Sequence, residues 1–279
     1  MNGLQGKVAF ITGAARGQGR SHAIRLAQEG VDIIGIDICD QVDTVSYPLA
    51  TRADLNETVS LVEKCGGRML AATADVRDFD TLKSVVSEGF QTFGRVDIVI
   101  ANAGILIGAS PPPDDRAAFR DLIDINLVGV WNTIEAALPR MLIQKQGGSI
   151  VLTSSTAGLK GAVTGMGGGA MGYAAAKTGI VGLMRKYANL LAPESIRVNS
   201  VHPTGVDTPM LVGFHEEYAA FVDRLPEDSD LRNQGQSNPM PVSVIDPVDV
   251  SNAIAWLVSD EARYVTGVAL PIDAGFSNK

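Results

Sequence analysis

The chain has 279 residues, is 46% hydrophobic and 19% charged, and carries a formal net charge of −8. That is enough chain to build a complete core, as one large α/β domain or two small ones. The acidic balance, with no basic cluster, speaks against nucleic acid and anionic membranes as partners. Two cysteines, Cys39 and Cys65, and three scattered histidines, His22, His202 and His215, make neither a disulfide framework nor a metal pattern.

Short apolar runs alternate with helical patterns along the chain. Strands are expected at 7–11, 31–37, 68–74, 96–101, 149–153, 196–201 and 267–272. Helices are expected at 18–29, 54–65, 78–93, 114–143, 172–192 and 247–258. Strands alternating with helices imply βαβ units with right-handed crossovers. The expected fold is therefore a doubly wound, Rossmann-like parallel sheet of about seven strands, helices on both faces, in a single domain over 1–279. Three stretches break the alternation, at 38–53, 156–171 and 204–246, and loops of that length commonly serve a function. No charged leader precedes the first strand and no apolar run reaches the ~20 residues of a membrane span. A cytoplasmic protein with reduced thiols is expected.

Between the first strand and first helix lies Thr12-Gly13-Ala14-Ala15-Arg16-Gly17-Gln18-Gly19. Glycines there allow a tight turn and close backbone approach to a pyrophosphate, which the helix N-terminus favours with free N–H donors. The Gly-x-x-x-Gly-x-Gly spacing departs from Gly-x-Gly-x-x-Gly, and its place after a strand and before a helix is what gives it meaning. Asp37 ends the second strand, where a carboxylate would accept hydrogen bonds from an adenosine ribose and repel a 2′-phosphate. That favours NAD over NADP. Arg16 is a counter-signal, since it could meet a phosphate. Tyr173 and Lys177 stand at i, i+4 on one helical face. A cation beside a phenol favours the phenolate and makes it a candidate base.

Taken jointly with Asp75-Val76, Asn102-Ala103-Gly104, Asn126, the pair Ser154-Ser155 and His202-Pro203 through Thr208-Pro209, these residues give a chain that resembles the classical short-chain dehydrogenases/reductases over essentially its whole length. The resemblance implies an NAD(P)-dependent alcohol/carbonyl oxidoreductase with the catalytic set Asn126, Ser155, Tyr173 and Lys177. Ser155 aligns best with the family's serine and Ser154 stays open as its alternative. The serine hydroxyl would stabilise charge on the substrate oxygen, Tyr173 would take the alcohol proton, and Lys177 would bind the nicotinamide ribose and lower the tyrosine pKa. Asn126, a poor helix former inside a helical pattern, would distort the helix and hold a relay water. The cofactor set it implies is Gly13, Arg16, Gly17, Gln18, Gly19, Asp37, Asp75, Val76, Asn102, Ala103, Gly104, Tyr173, Lys177, Val206 and Thr208. Asp75 and Val76 would face adenine, and Val206 N–H and Thr208 the nicotinamide carboxamide. No metal is implied.

Two departures point to a subfamily. The glycine-rich Thr164–Met171 lengthens the serine-to-tyrosine spacing, either flanking the substrate site or forming a surface loop. The insert at 38–53 begins beside the adenosine ribose and could fold over the cofactor. With HPTGVDTPM (202–210) and LPIDAGF (270–276), it resembles the mycofactocin-associated subfamily that includes carveol dehydrogenase-like enzymes. That resemblance implies an NAD held without ready exchange and an external redox carrier, mycofactocin, to reoxidise it. An ordinary surface insertion with exchangeable NAD is the alternative. Met210, Leu211, Phe214, Tyr218, Phe221 and Leu225 of a substrate lid, with Ile105, Leu106 and Ile107, suggest an apolar pocket for a small hydrophobic secondary alcohol or its ketone, such as a terpenoid. Residues 214–225 could equally be an amphipathic helix. The helices at 114–143 and 172–192 are apolar around much of their circumference, so a homo-oligomer is expected, a homotetramer by family analogy. A carbonyl reductase acting on ketoacyl or steroid-like substrates with exchangeable NAD(P)H, and a non-catalytic dinucleotide-binding module, are the competing readings.

Overall fold

The computed structural model describes residues 1–107, 114–163, 165, 167–213, 223 and 238–278. Seven strands form one parallel sheet in the order β3-β2-β1-β4-β5-β6-β7. They are β1 (Val8–Thr12), β2 (Asp32–Asp37), β3 (Met69–Thr73), β4 (Ile98–Ala101), β5 (Gly148–Thr153), β6 (Ile196–Pro203) and β7 (Ala269–Ile272). Each predicted strand is present. The helices are α1 (Gly17–Ala27), α2 (Arg52–Lys64), α3 (Phe79–Phe93), α4 (Asp115–Ile123), α5 (Gly129–Gln144), α6 (Ala157–Lys160), α7 (Gly168–Leu191) and α8 (Pro247–Val258).

The strands read as continuous apolar runs because both faces of the sheet are covered. Val8, Phe10, Ile34, Val99, Ile150 and Val198 pack with α3, α4, α5 and α7 on one side. Ala9, Ile11, Ile33, Ile98 and Val151 pack with α1, α2 and α8 on the other. The chain crosses from one face to the other between β1 and β4, which are neighbours in the sheet. Crossovers that depart to opposite faces leave a crevice at the carboxyl ends of these strands, the place where open α/β sheets take ligands.

Local chemistry sets the helix boundaries. A reciprocal capping box opens α2, with Asp54 N–H bonded to Thr51 Oγ1 at 3.3 Å and Thr51 N–H to Asp54 Oδ2 at 2.7 Å. Asp78 and Asp114 cap α3 and α4. The single helix expected over 114–143 is in fact α4 and α5 joined by a π turn, Asp124–Val128. The helix predicted from 172 starts four residues earlier, at Gly168. The glycine run makes that start possible, because Cβ atoms at Gly168 and Gly169 would lie 2.1 Å from Asp115 O and 3.1 Å from Ile107 Cγ2. Glycine lets α7 dock against α4, and Gly168 N–H bonds to Asp115 Oδ1 at 2.5 Å. Thr164 and Met166 lie outside the described residues. Among the described residues no helix is long and apolar enough to cross a membrane. The helices predicted to be apolar all round leave Phe119, Trp131, Ile143, Met171 and Leu190 exposed on the single chain.

His22 of α1 is wholly buried against α8, its Nδ1 2.8 Å from Ser251 Oγ. Its Nε2 has no well-aligned partner. Burial lowers its pKa from 6.5 to about 3, and the nearby Asn102 side chain offsets only part of this. A histidine whose folded pKa lies below its unfolded value contributes full stability above about pH 6.5 and loses it as the pH falls toward 3. Thermal denaturation followed against pH should therefore show the midpoint falling below pH 6.5, with roughly 2 kcal/mol gone by about pH 5 from this residue alone. A His22→Leu variant should show a shallower acid slope.

Candidate active site

The crevice is built on a stitch between β1 and β4. Thr12 Oγ1 accepts from Asn102 N–H and Ala103 N–H, each at 3.1 Å, and Asn102 Nδ2 donates to Thr12 O at 3.1 Å. The glycine loop lies directly on this stitch. Gly13 has φ +70°, and a Cβ there would meet Ala103 Cα at 2.9 Å. A Cβ at Gly19 would lie 1.9 Å from Gly13 O. Only glycine permits the loop to close so tightly at either place. The N-terminus of α1 has no side-chain cap, and the buried Gln18 Oε1 beside it has no hydrogen-bond partner among the described residues.

An open cleft of about 910 Å³, counting space continuous with solvent, runs from this loop along the sheet edge. Gly13, Arg16, Gly17, Gln18, Gly19, Asp37, Asp75, Val76, Asn102, Ala103, Gly104 and Thr208 all line it. Asp37 Oδ2 accepts from Ala15 N–H at 3.0 Å. Burial raises its pKa, and hydrogen bonds from backbone N–H groups together with the Arg16 charge hold it back. Arg16 Nη2 donates to Pro48 O of the insert at 2.6 Å. Asp75 is clasped by Arg77, with Nε at 2.9 Å and Nη2 at 2.6 Å from Oδ2. Val206, expected at the same wall, is buried and forms a bridge with Ile245. Thr208 Oγ1 donates to Val206 O at 3.2 Å.

The insert at 38–53 folds over the cleft, and Val42, Tyr47, Leu49 and Ala50 form part of its wall. Gln41 organises the loop from within. Its Nε2 donates to Val45 O at 2.7 Å and Tyr47 O at 3.2 Å, and its Oε1 accepts from Leu49 N–H at 3.0 Å. Thr44 Oγ1 donates to Asp121 Oδ2 at 2.6 Å, tying the insert to α4. Tyr47 reaches across, where its hydroxyl accepts from Leu106 N–H at 3.2 Å. Tyr47 packs so close to Gly213 that a Cβ there would lie 2.5 Å from Tyr47 Cβ and 2.9 Å from its ring. The tyrosine thus joins the insert, the β4 loop and the first turn of the segment after β6. Of the predicted lid residues, Phe214, Tyr218, Phe221 and Leu225 lie outside the described residues. Met210 lines the cleft, and Ile105 and Ile107 are buried beside it.

Beyond Gly104 the four predicted polar side chains converge. A Cβ at Gly104 would stand 3.0 Å from Asn126 Oδ1 and 3.6 Å from Lys177 Nζ. Asn126 is buried in the π turn, and its amide pairs with Ile105 in both directions, Oδ1 accepting from Ile105 N–H and Nδ2 donating to Ile105 O, each at 2.8 Å. The expected distortion is there, but the side-chain amide is spent on the β4 loop. Lys177 Nζ donates to buried Thr153 O at 2.9 Å and sits 5.5 Å from the Tyr173 ring centroid. Burial lowers the Lys177 pKa to about 8. The two serines differ. Ser154 Oγ is buried and donates to Lys177 O at 2.8 Å, whereas the Ser155 hydroxyl is the one that acts on Tyr173. Against expectation, Tyr173 has a raised pKa. Burial pushes it up, and the Ser155 hydroxyl is the group that pulls it down.

A family model described as Enoyl-(Acyl carrier protein) reductase matches residues 13–277. An uncharacterized oxidoreductase of Mycobacterium tuberculosis is 54% identical, over 99% of this chain and 98% of that one. The chain belongs to the short-chain dehydrogenase/reductase family. Within this family it is similar to the (−)-trans-carveol dehydrogenase of Rhodococcus erythropolis, at 48% identity over 99% of both chains. The crystal structure of carveol dehydrogenase from Mycobacterium avium in complex with NAD superposes with a TM-score of 0.90 at 47% identity, covering 100% of each chain. Sequence reasoning for this dehydrogenase/reductase missed Gln41, Tyr47 and Arg77. Tyr47 was the most legible, the lone aromatic of the insert.

Proposed function

We propose that this protein is an NAD-dependent alcohol dehydrogenase acting on a small hydrophobic secondary alcohol of the carveol type. The convergence of Ser155, Tyr173 and Lys177 just beyond Gly104, a residue of the cleft wall that stands close to Lys177 Nζ, is the observation that carries the reading. The cleft fits NAD on its own features. Gly13 and Gly19 leave a cradle that side chains would fill, the unpartnered Gln18 Oε1 and uncapped α1 leave polar groups free for a ligand, and Asp37 suits a ribose with free hydroxyls. The carboxylate of Asp37, which would repel a 2′-phosphate, supports NAD over a 2′-phosphorylated cofactor.

Gly13, Gly19 and Asp37 would hold NAD, which when bound would supply the hydride acceptor that turns the carbinol carbon into a carbonyl. The protein handles the proton and the oxygen. Tyr173 Oη accepts the hydroxyl proton. Ser155 holds the same oxygen and stabilises charge as it develops. Lys177 would hold the nicotinamide ribose, and its ammonium, fixed on Thr153 O, would favour the phenolate. Asn126 holds the β4 loop and, through the π turn it anchors, frees main-chain polar groups of α4–α5 for a water that relays the proton. In the reverse direction the same groups serve carbonyl reduction. The apolar wall that includes Ile105 and Met210 suits a terpenoid skeleton.

The closed insert supports a cofactor that exchanges slowly, because Tyr47 would have to leave both Leu106 and Gly213 before the dinucleotide could. Such an enzyme needs an external acceptor to reoxidise the bound cofactor, and mycofactocin is the carrier we propose. The exposed apolar residues of α4, α5 and α7 support assembly as a homotetramer. A cytoplasmic location is part of this proposal.

Carveol oxidation by a Tyr173→Phe variant should fall at least a thousandfold with the fold intact by circular dichroism, because general-base removal is worth about that much. Oxidation by the wild type should quicken toward alkaline pH, since burial holds the phenol's pKa up. Wild-type rate in the variant refutes the assignment. For the insert, purified protein should carry NAD through dialysis, and Tyr47→Ala should lose it. Full retention by Tyr47→Ala, or wild-type protein that arrives empty and turns over added NAD freely, would remove the insert's proposed role.

A further inference from the structure

Ser155 stands at the first turn beyond β5, where the chain has left the sheet ladder. Its neighbours on either side remain tied to β6 by their backbones, Ser154 N–H to Val201 O at 2.9 Å and Thr156 N–H to Pro203 O at 3.1 Å. Ser155 has its own tie to β6, and it comes from a side chain. His202 Nδ1 lies 2.8 Å from Ser155 O. A carbonyl oxygen only accepts, so Nδ1 carries the proton. His202 Nε2 is then a lone pair, and it lies 2.8 Å from Ser200 Oγ, which donates to it. Both ring nitrogens are used, the tautomer is set by the two partners, and the ring is wholly buried.

The residues at the end of β5 are thus held one by one. Thr153 O takes the Lys177 ammonium, Ser154 Oγ takes Lys177 O, and Ser155 O takes His202. The turn itself adds two bonds, Gly158 N–H to Ser155 O at 2.9 Å and Ala157 N–H to Ser155 Oγ at 3.1 Å. These hold the turn's shape. The His202 bond fixes where the turn sits relative to the sheet, and hence the distance between the Ser155 hydroxyl and Tyr173.

We infer that His202 is a positioning residue for this reaction, acting through the Ser155 main chain, with Ser200 locking the imidazole in the tautomer that donates to Ser155. The inference rests on the reading of Ser155 as the group that holds the substrate oxygen. An error of position there costs rate more than binding, because the contact counts most in the transition state.

The test measures the limiting rate of carveol oxidation and the half-saturating carveol concentration, with bound nucleotide and thermal midpoint recorded for each variant. His202→Leu should lower the limiting rate 10- to 100-fold while nucleotide content and half-saturation change less than threefold. His202→Asn, whose amide can place a donor where Nδ1 stands, should recover most of that loss. A limiting rate within twofold of wild type in His202→Leu overturns the inference, as does an Asn variant no better than Leu. Should neither variant fold, Ser200→Ala decides instead, with a severalfold slower limiting rate expected and an unchanged rate overturning it. Ser155→Ala run alongside separates the two ideas. If Ser155→Ala is fully active, the reading of the serine itself fails. If it is inactive while His202→Leu is unimpaired, only the positioning role falls.

Discussion

The stitch between Thr12 and Asn102 is the contact on which the remaining architecture depends. A parallel sheet that reverses its winding opens a crevice between two adjacent strands, and here those strands are β1 and β4. Left alone, their carboxyl ends would expose unpaired polar backbone. The Thr12 hydroxyl satisfies two backbone donors of the β4 loop at once, and the Asn102 amide returns the favour to Thr12 O. With the edges so joined, the glycine loop can rest on Ala103 with no room for a side chain. Gly104 then leads to the point where Asn126 and Lys177 meet. The glycine loop and the polar end of the site are two sides of one fixed seam.

The polar end trades charge against burial. Tyr173 and Lys177 are brought together in a place that disfavours the charged form of both, raising one pKa and lowering the other. Neighbours aimed at each side chain offset part of that cost, the Ser155 hydroxyl at Tyr173 and Thr153 O at Lys177. Lys177 is shifted toward the working pH and exchanges its proton more readily, whereas Tyr173 is shifted away from it and relies on preorganised partners, which count for more in a buried site than in water.

The strands and helices were legible because their signals are periodic and strong, and every strand came through within a few residues. What was not legible depended on contacts between distant segments. No local rule distinguishes a continuous helix over 114–143 from two helices joined by a π turn, since the break arises from the grip of Asn126 on Ile105. The early start of α7 depends on the fit of Gly168 and Gly169 against Asp115 and Ile107. The sequence favoured Ser155 and left Ser154 open, and in the fold Ser154 Oγ donates to Lys177 O. The i, i+4 pairing of Tyr173 and Lys177 was correct as geometry, yet spacing carries no information about burial, which reverses the expected direction of the tyrosine shift. The insert announced itself by length. Its role as a cover required seeing Tyr47 meet Leu106.

The most direct measurement follows the absorbance of reduced nicotinamide after carveol is added to purified protein with no cofactor supplied. The account predicts that the nicotinamide carried by the protein is reduced once, in proportion to the protein present, and that the signal then stops until an electron acceptor is provided. Protein that carries NAD yet shows no reduction with carveol or any other hydrophobic secondary alcohol would contradict it.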